Sequence, residues 1–76
     1  MKKKDALETV SIIERLVFDG FAVSFSHFAD WSAGVRSESE AWHVHGPTLD
    51  IAVRKLGRWH ALPRAERPSY KSQEDR

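Results

Sequence analysis

At Gly20 the spacing of apolar residues changes from a helical repeat to a repeat of two, and no other feature of the chain constrains the fold as much. Upstream, from Asp5 to Phe18, Ala6, Leu7, Val10, Ile13, Leu16, Val17 and Phe18 fall on one broad helical arc, with Glu8, Ser11 and Arg15 opposite. The spacing predicts an amphipathic helix with that arc turned inward, and Ile12 lies off it. Asp5 suits the start of such a helix and Gly20 its end.

Downstream, Phe21, Val23 and Phe25 alternate with Ala22, Ser24 and Ser26, which predicts a half-buried strand continuing to His27 and Phe28. A turn at Ala29-Asp30 separates it from a second alternation, Trp31, Ala33 and Val35 against Ser32, Gly34 and Arg36. After Ser37-Glu38-Ser39-Glu40, Trp42 and Val44 share a face of a third strand. Connections this short favour an antiparallel meander. Gly46-Pro47 ends the strand and opens a second helix with Pro47 in its first position. There Leu49, Ala52, Val53 and Leu56 make the apolar stripe, Asp50 and Arg54 are spaced to pair across one turn, and Gly57 is the expected point of fraying or end of the helix.

One apolar sheet face and one apolar stripe per helix are buried together in two layers. The expected fold is therefore α+β: a three-stranded antiparallel meander with two helices packed on one face, in the order α-β-β-β-α. The expected organisation is a basic N-terminal extension (1–4), a single domain (5–61), and a disordered charged tail (62–76) marked by Pro63, Pro68 and a high density of charge.

With 76 residues the chain holds one domain, and a core of this size is marginal unless a disulfide, a metal or a second subunit helps. There are no cysteines, which excludes disulfides and thiolate zinc sites. Acidic residues interrupt the stretch after Met1-Lys2-Lys3-Lys4, so it does not read as a signal peptide, and no apolar run is long enough to span a bilayer. The expected location is the cytoplasm. From Asp5 to Leu56 four basic residues stand against eight acidic ones, while the two ends together carry eight basic and three acidic. The counts place the positive charge on the tails and argue against a basic groove on the folded part.

Catalytic signatures are missing: there is no Gly-rich phosphate loop, no Gly-x-Ser-x-Gly elbow and no His-Glu-x-x-His helix, and Glu38 and Glu40 read as solvated turn residues. The chain is expected not to be an enzyme and to need no cofactor. His43 and His45 project to the same side of a strand and could converge on a metal, but a third ligand at diagnostic spacing is missing, and His27 has the parity of the opposite face. No metal site is assigned. Trp31 and Trp42 have core parity, whereas Trp59, between Arg58 and His60, is a candidate contact residue. Ile12 and Ile51 fall outside their helical stripes and Phe28 shares parity with the polar sheet face. Ile12, Phe28, Ile51 and Trp59 are thus the candidate partner-binding residues, and the expected role is a small protein-binding module, with homodimerisation an option. The alternative is nucleic-acid binding through Arg54, Lys55 and Arg58 of the second helix together with the basic ends.

Over residues 5 to 60 the order of elements resembles that of double-stranded-RNA-binding domains. The resemblance implies their fold and, through a lysine-rich start to the last helix, a grip on RNA phosphates. The matching segment here, Pro47-Thr48-Leu49-Asp50-Ile51-Ala52-Val53-Arg54-Lys55, carries Asp50 and no lysine in its first turn. In general style, short, cysteine-free and with charged ends, the chain also resembles small accessory proteins of bacteriophages and prophages, which implies binding to a host protein.

Overall fold

A computed structural model describes residues 3–70 of the chain. Helix α1 (Lys3–Phe18) is followed by strands β1 (Ala22–Phe28), β2 (Asp30–Arg36) and β3 (Ala41–Gly46), helix α2 (Leu49–Ala61) and a single 3₁₀ turn (Arg64–Glu66). The α-β-β-β-α order and the antiparallel sheet are as the sequence predicts.

Gly20 ends α1 for a stereochemical reason. Its φ of +91° lies in the left-handed region, where a Cβ is costly. That conformation lets Gly20 N–H donate to Val17 C=O and Phe21 N–H donate to Leu16 C=O, both at 3.0 Å, the paired bonds of a Schellman cap. Leu16 and Phe21, the residues that bracket the cap, both enter the core. Ala29 forms the next turn alone, at φ +68°, between the directly paired residues Phe28 and Asp30.

The sheet order is β1-β2-β3, with Val23 opposite Val35, Val35 opposite Trp42 and Ala33 opposite Val44. These positions share the face that the helices cover: α1 lies along β1, and α2 lies across β2 and β3. Leu16, Phe21, Ala33, Val35, Ala52, Leu56 and Trp59 form the core, with Ile12, Val23, Trp31, Trp42 and Val44 packed around it. Gly46 is needed where β3 meets α2, because a Cβ there would stand 2.9 Å from the Ala52 nitrogen. Pro47 is not the first helical residue. Thr48 is the N-cap, its hydroxyl oxygen accepting from Ile51 N–H at 3.4 Å.

The two helices run in the same direction, side by side. Glu8 faces Arg54 at 3.6 Å, Ile12 lies against Gly57, and Asp19, just past α1, meets His60 at 2.5 Å. Gly57 does not fray α2. It is the point of closest approach, where a Cβ would come within 3.2 Å of Ile12. This crossing turns α1 away from the orientation its arc suggests: Thr9 and Leu16 are buried and Ile12 is half-buried, while Leu7, Val10, Val17 and Phe18 remain 64, 50, 56 and 90% exposed.

The segment after Leu62 also differs from the expected disordered tail. Residues 62–70 pack along the domain, and residues 71–76 lie outside the described residues. Trp59 Nε1 donates to Pro68 C=O at 2.8 Å, and the Arg67 guanidinium lies 5.0 Å from the Trp59 ring and 6.0 Å from the Phe21 ring. Arg67 and Arg64 reach Glu40 at 3.6 and 3.7 Å. Glu40 is consequently buried, not solvated, and the turn that holds it is closed by Ser37 N–H donating to Glu40 C=O at 2.8 Å. Ser69 Oγ accepts from Ala41 N–H at 2.9 Å and Tyr70 stacks on both Trp42 and His43, so this strap occupies the outer edge of β3.

Candidate interaction surfaces

Three surfaces could carry function, and the first is the apolar side of α1. Leu7, Val10 and Val17, three and seven residues apart, lie on one side of a helix whose other flank is taken by α2. Phe18 continues the apolar surface at the C-terminal end. Beneath it Phe25 has the parity of the covered sheet face yet is 42% exposed, because α1 does not cover the full width of β1. Single exposed apolar residues are ordinary, but a row of them on one helix is not. The sequence does hold a signal for this row: with Ile12 included, apolar residues occupy far more of the circumference of α1 than one sheet and one helix can bury.

The second surface is a groove on the outside of the helical layer, between α1 and α2. Lys4, Arg15, Arg54 and Arg58 line it, with Glu8 the one acid among the lining residues. The charge count from Asp5 to Leu56 hides this groove because Lys4 and Arg58 fall outside that window and Arg15 and Arg54 are averaged with the acids of the whole surface. Helix geometry gathers these four cations into one place. Lys55 is not part of it. Its ammonium donates to His45 C=O at 2.6 Å and ties α2 back to β3.

The third surface is the open sheet face, formed by Ser24, Ser26, Ser32, Gly34, His43 and His45. The hydroxyls of Ser26 and Ser32 hydrogen-bond across the β1–β2 pair. The imidazoles of His43 and His45 meet edge to face at 5.5 Å, and His45 Nδ1 is 3.8 Å from Asp30. His27 projects from the other face, where it stacks on Trp31 at 4.6 Å. Among the described residues no group of three or more His, Cys, Asp or Glu is placed to hold a metal ion.

The sequence candidates separate accordingly. Trp59 is 4% exposed and belongs to the core, its indole N–H committed to Pro68, so it is not available as a contact residue. Ile12 is turned into the α1–α2 crossing. Phe28 and Ile51 stay at the surface, 91 and 37% exposed, at the end of the domain where β1 finishes and α2 begins. Asp50 sits in the first turn of α2. The Thr48 hydroxyl donates to its carboxylate and holds its pKa below the ordinary value, with further help from backbone N–H groups and Arg54.

Comparison with family models, with curated proteins and with solved structures finds no match to this chain. The likeness to double-stranded-RNA-binding domains therefore rests on the order of elements alone. Among the described residues no helix is long and apolar enough to cross a membrane.

Proposed function

We propose that the protein is a non-catalytic binding module of the cytosol that takes a protein partner on the exposed side of α1. The observation that carries this reading is the row Leu7, Val10 and Val17, each at least half exposed on a helix already seated by its other faces. A non-catalytic reading is supported by the structural tasks of several charged groups. Asp19 and His60 join the ends of the helices, Glu40 anchors the strap, and Asp50 lies in the cap of α2. A host protein is the partner that the general likeness to phage accessory proteins suggests.

The test compares the immobilised wild-type chain with a Val10→Glu/Val17→Glu variant and with Ile51→Glu, which lies on α2. Proteins from a cell extract should be retained by the wild type and by Ile51→Glu, and lost from the double variant. Identical retention by all three would remove α1 as the binding surface.

The groove supports a second reading, nucleic-acid binding by Lys4, Arg15, Arg54 and Arg58. Affinity for a duplex should then fall steeply with salt, and Arg58→Ala should reduce the slope of log affinity against log salt by about 1. Removing the C-terminal segment is not a clean test of this idea, because residues up to Tyr70 hold the fold.

A further inference from the structure

The furrow between α1 and α2 combines a line of cations with an aromatic end. Lys4 and Arg15 line it from α1, and Arg54 and Arg58 from α2. Arg54 is engaged with Glu8. Lys4, Arg15 and Arg58 are exposed, and no ion pair among the described residues takes them up. Helix-end electrostatics accounts for Arg15 and Arg58 one at a time, since each stands in the last turn of its helix. It does not account for their lining one furrow from opposite walls, nor for Lys4, which is at the other end of α1. Beyond Arg15 the furrow runs into a hollow that shares Ser11, Arg15 and His60 with it and adds Phe18. Phe18 is 90% exposed, so its ring is open to a flat ligand. The acids of this hollow are off the path. Asp19 is held by His60, and Glu14 lies on the outer side of Phe18.

We propose that this furrow takes a single strand of nucleic acid, with phosphates along Lys4, Arg15 and Arg58 and one base stacked on Phe18. The proposal rests on the reading of the groove as a nucleic-acid surface and names the form of the ligand. Charge comes first. Lys4 and Arg15 are about 16 Å apart along the helix axis, so the complementary ligand is a linear anion and not one phosphate. Width comes second. Neighbouring helices lie roughly 8–10 Å apart, and Gly57 against Ile12 holds this pair close. A duplex carries its phosphates in two rows, on either side of grooves about 6 and 12 Å wide, and calls for cations on two ridges. Here they converge on one furrow, which suits one backbone. The ring comes third. Bases inside a duplex are already stacked on their neighbours, and only an unpaired base can cover Phe18. An acidic peptide would match the charge and leave that ring unused.

Fluorescence anisotropy of the full chain tests the proposal, with circular dichroism to show that each variant folds. The probes are labelled DNA and RNA strands of about 12 nucleotides, within the range of single-strand sites, and the duplex of the same sequence. The two sugars share the phosphates and base faces that the furrow contacts, so binding in either arm supports it and the tighter arm assigns the sugar. A strand should bind with a micromolar dissociation constant at low salt, at least about tenfold more tightly than the duplex. Log affinity should fall against log salt with a slope of about −2, roughly 0.7 for each of three phosphates. Arg15→Ala and Arg58→Ala should each reduce that slope by about 0.7. Phe18→Ala should weaken binding about tenfold and leave the slope unchanged, because stacking releases no counterion. Unchanged affinity in Phe18→Ala, or a poly-glutamate peptide that competes as well as an unlabelled strand, overturns the stacked single strand. A duplex bound more tightly than the strand also overturns it, while the groove stays a nucleic-acid surface. Binding of neither form removes that reading as well.

Discussion

Replacing Arg67 with alanine tests whether the strap is part of the fold. Three losses follow from the structure. The guanidinium leaves the faces of Trp59 and Phe21, at 5.0 and 6.0 Å, a cation–π contact worth about 1 kcal/mol in a half-desolvated setting. The buried Glu40 loses its buried counter-charge and keeps only Arg64, whose side chain is 72% exposed. Removing one partner of a fully buried ion pair costs about 3–5 kcal/mol. Here 3.6 Å is longer than a hydrogen bond and Arg64 remains nearby, so about 1–2 kcal/mol is the better figure. Loosening of the strap also weakens the bond from Trp59 Nε1 to Pro68, though that effect overlaps with the others. A loss of roughly 2–3 kcal/mol is expected, a large part of the few kcal/mol by which a domain this small is stable. For a chain of this length that lowers the melting temperature by about 10–20 °C. Thermal unfolding followed by far-ultraviolet circular dichroism measures it, and Glu40→Gln with Arg67→Ala closes a double-mutant cycle with the two single changes. A midpoint shift of less than about 3 °C in Arg67→Ala, within the range of an ordinary surface substitution, would show that the strap is not part of the fold.

Three further outcomes follow from local geometry. Gly20→Ala places a Cβ at φ +91° and should cost about 1–2 kcal/mol in urea unfolding, while an unchanged midpoint would mean the α1 cap relaxes freely. Gly46→Ala drives a Cβ to 2.9 Å from the Ala52 nitrogen and should cost roughly 1–3 kcal/mol, a measurement that would contradict the tight β3–α2 junction if it returned zero. Asp50 has a lowered pKa in the folded chain, so its contribution to stability is present above the unfolded value and is lost as the pH falls through the depressed one. Thr48→Ala should move the Asp50 titration, followed by carboxyl NMR, upward toward the ordinary range, and a stationary midpoint would show that the hydroxyl is not its main cause.

The sheet was legible because a repeat of two has only two faces to choose between. Val35, Trp42 and Val44 pack toward the helices as their parity requires. A helix offers no such binary choice. The apolar arc of α1 gives a width, and the centre of the buried face is set by where α2 lies, which depends on Gly57 accepting Ile12. Thr9 and Ile12 therefore go inward, and Leu7 and Val10 come out. The strap was illegible for a different reason. Its segment is polar and rich in proline, and its order comes from Arg67 finding Glu40 and two rings that are distant in sequence. Composition registers the charge of such residues and not their pairing. The basic groove escaped the count in the same way, since Lys4, Arg15, Arg54 and Arg58 converge only once the two helices are laid side by side.

The parallel course of α1 and α2 has an electrostatic consequence. Antiparallel neighbours cancel their peptide dipoles, whereas two helices of 16 and 13 residues running the same way add theirs. The helical layer is therefore polar along its length, with about one unit of positive charge spread over the end where Lys4 and Thr48 lie and the opposite sign near Phe18 and Ala61. Arg15, Arg58 and His60 stand close to the negative pole and soften it, while Lys4 reinforces the positive one. An anionic molecule drifting toward the groove thus meets a field that is graded from end to end, strongest where both helices begin.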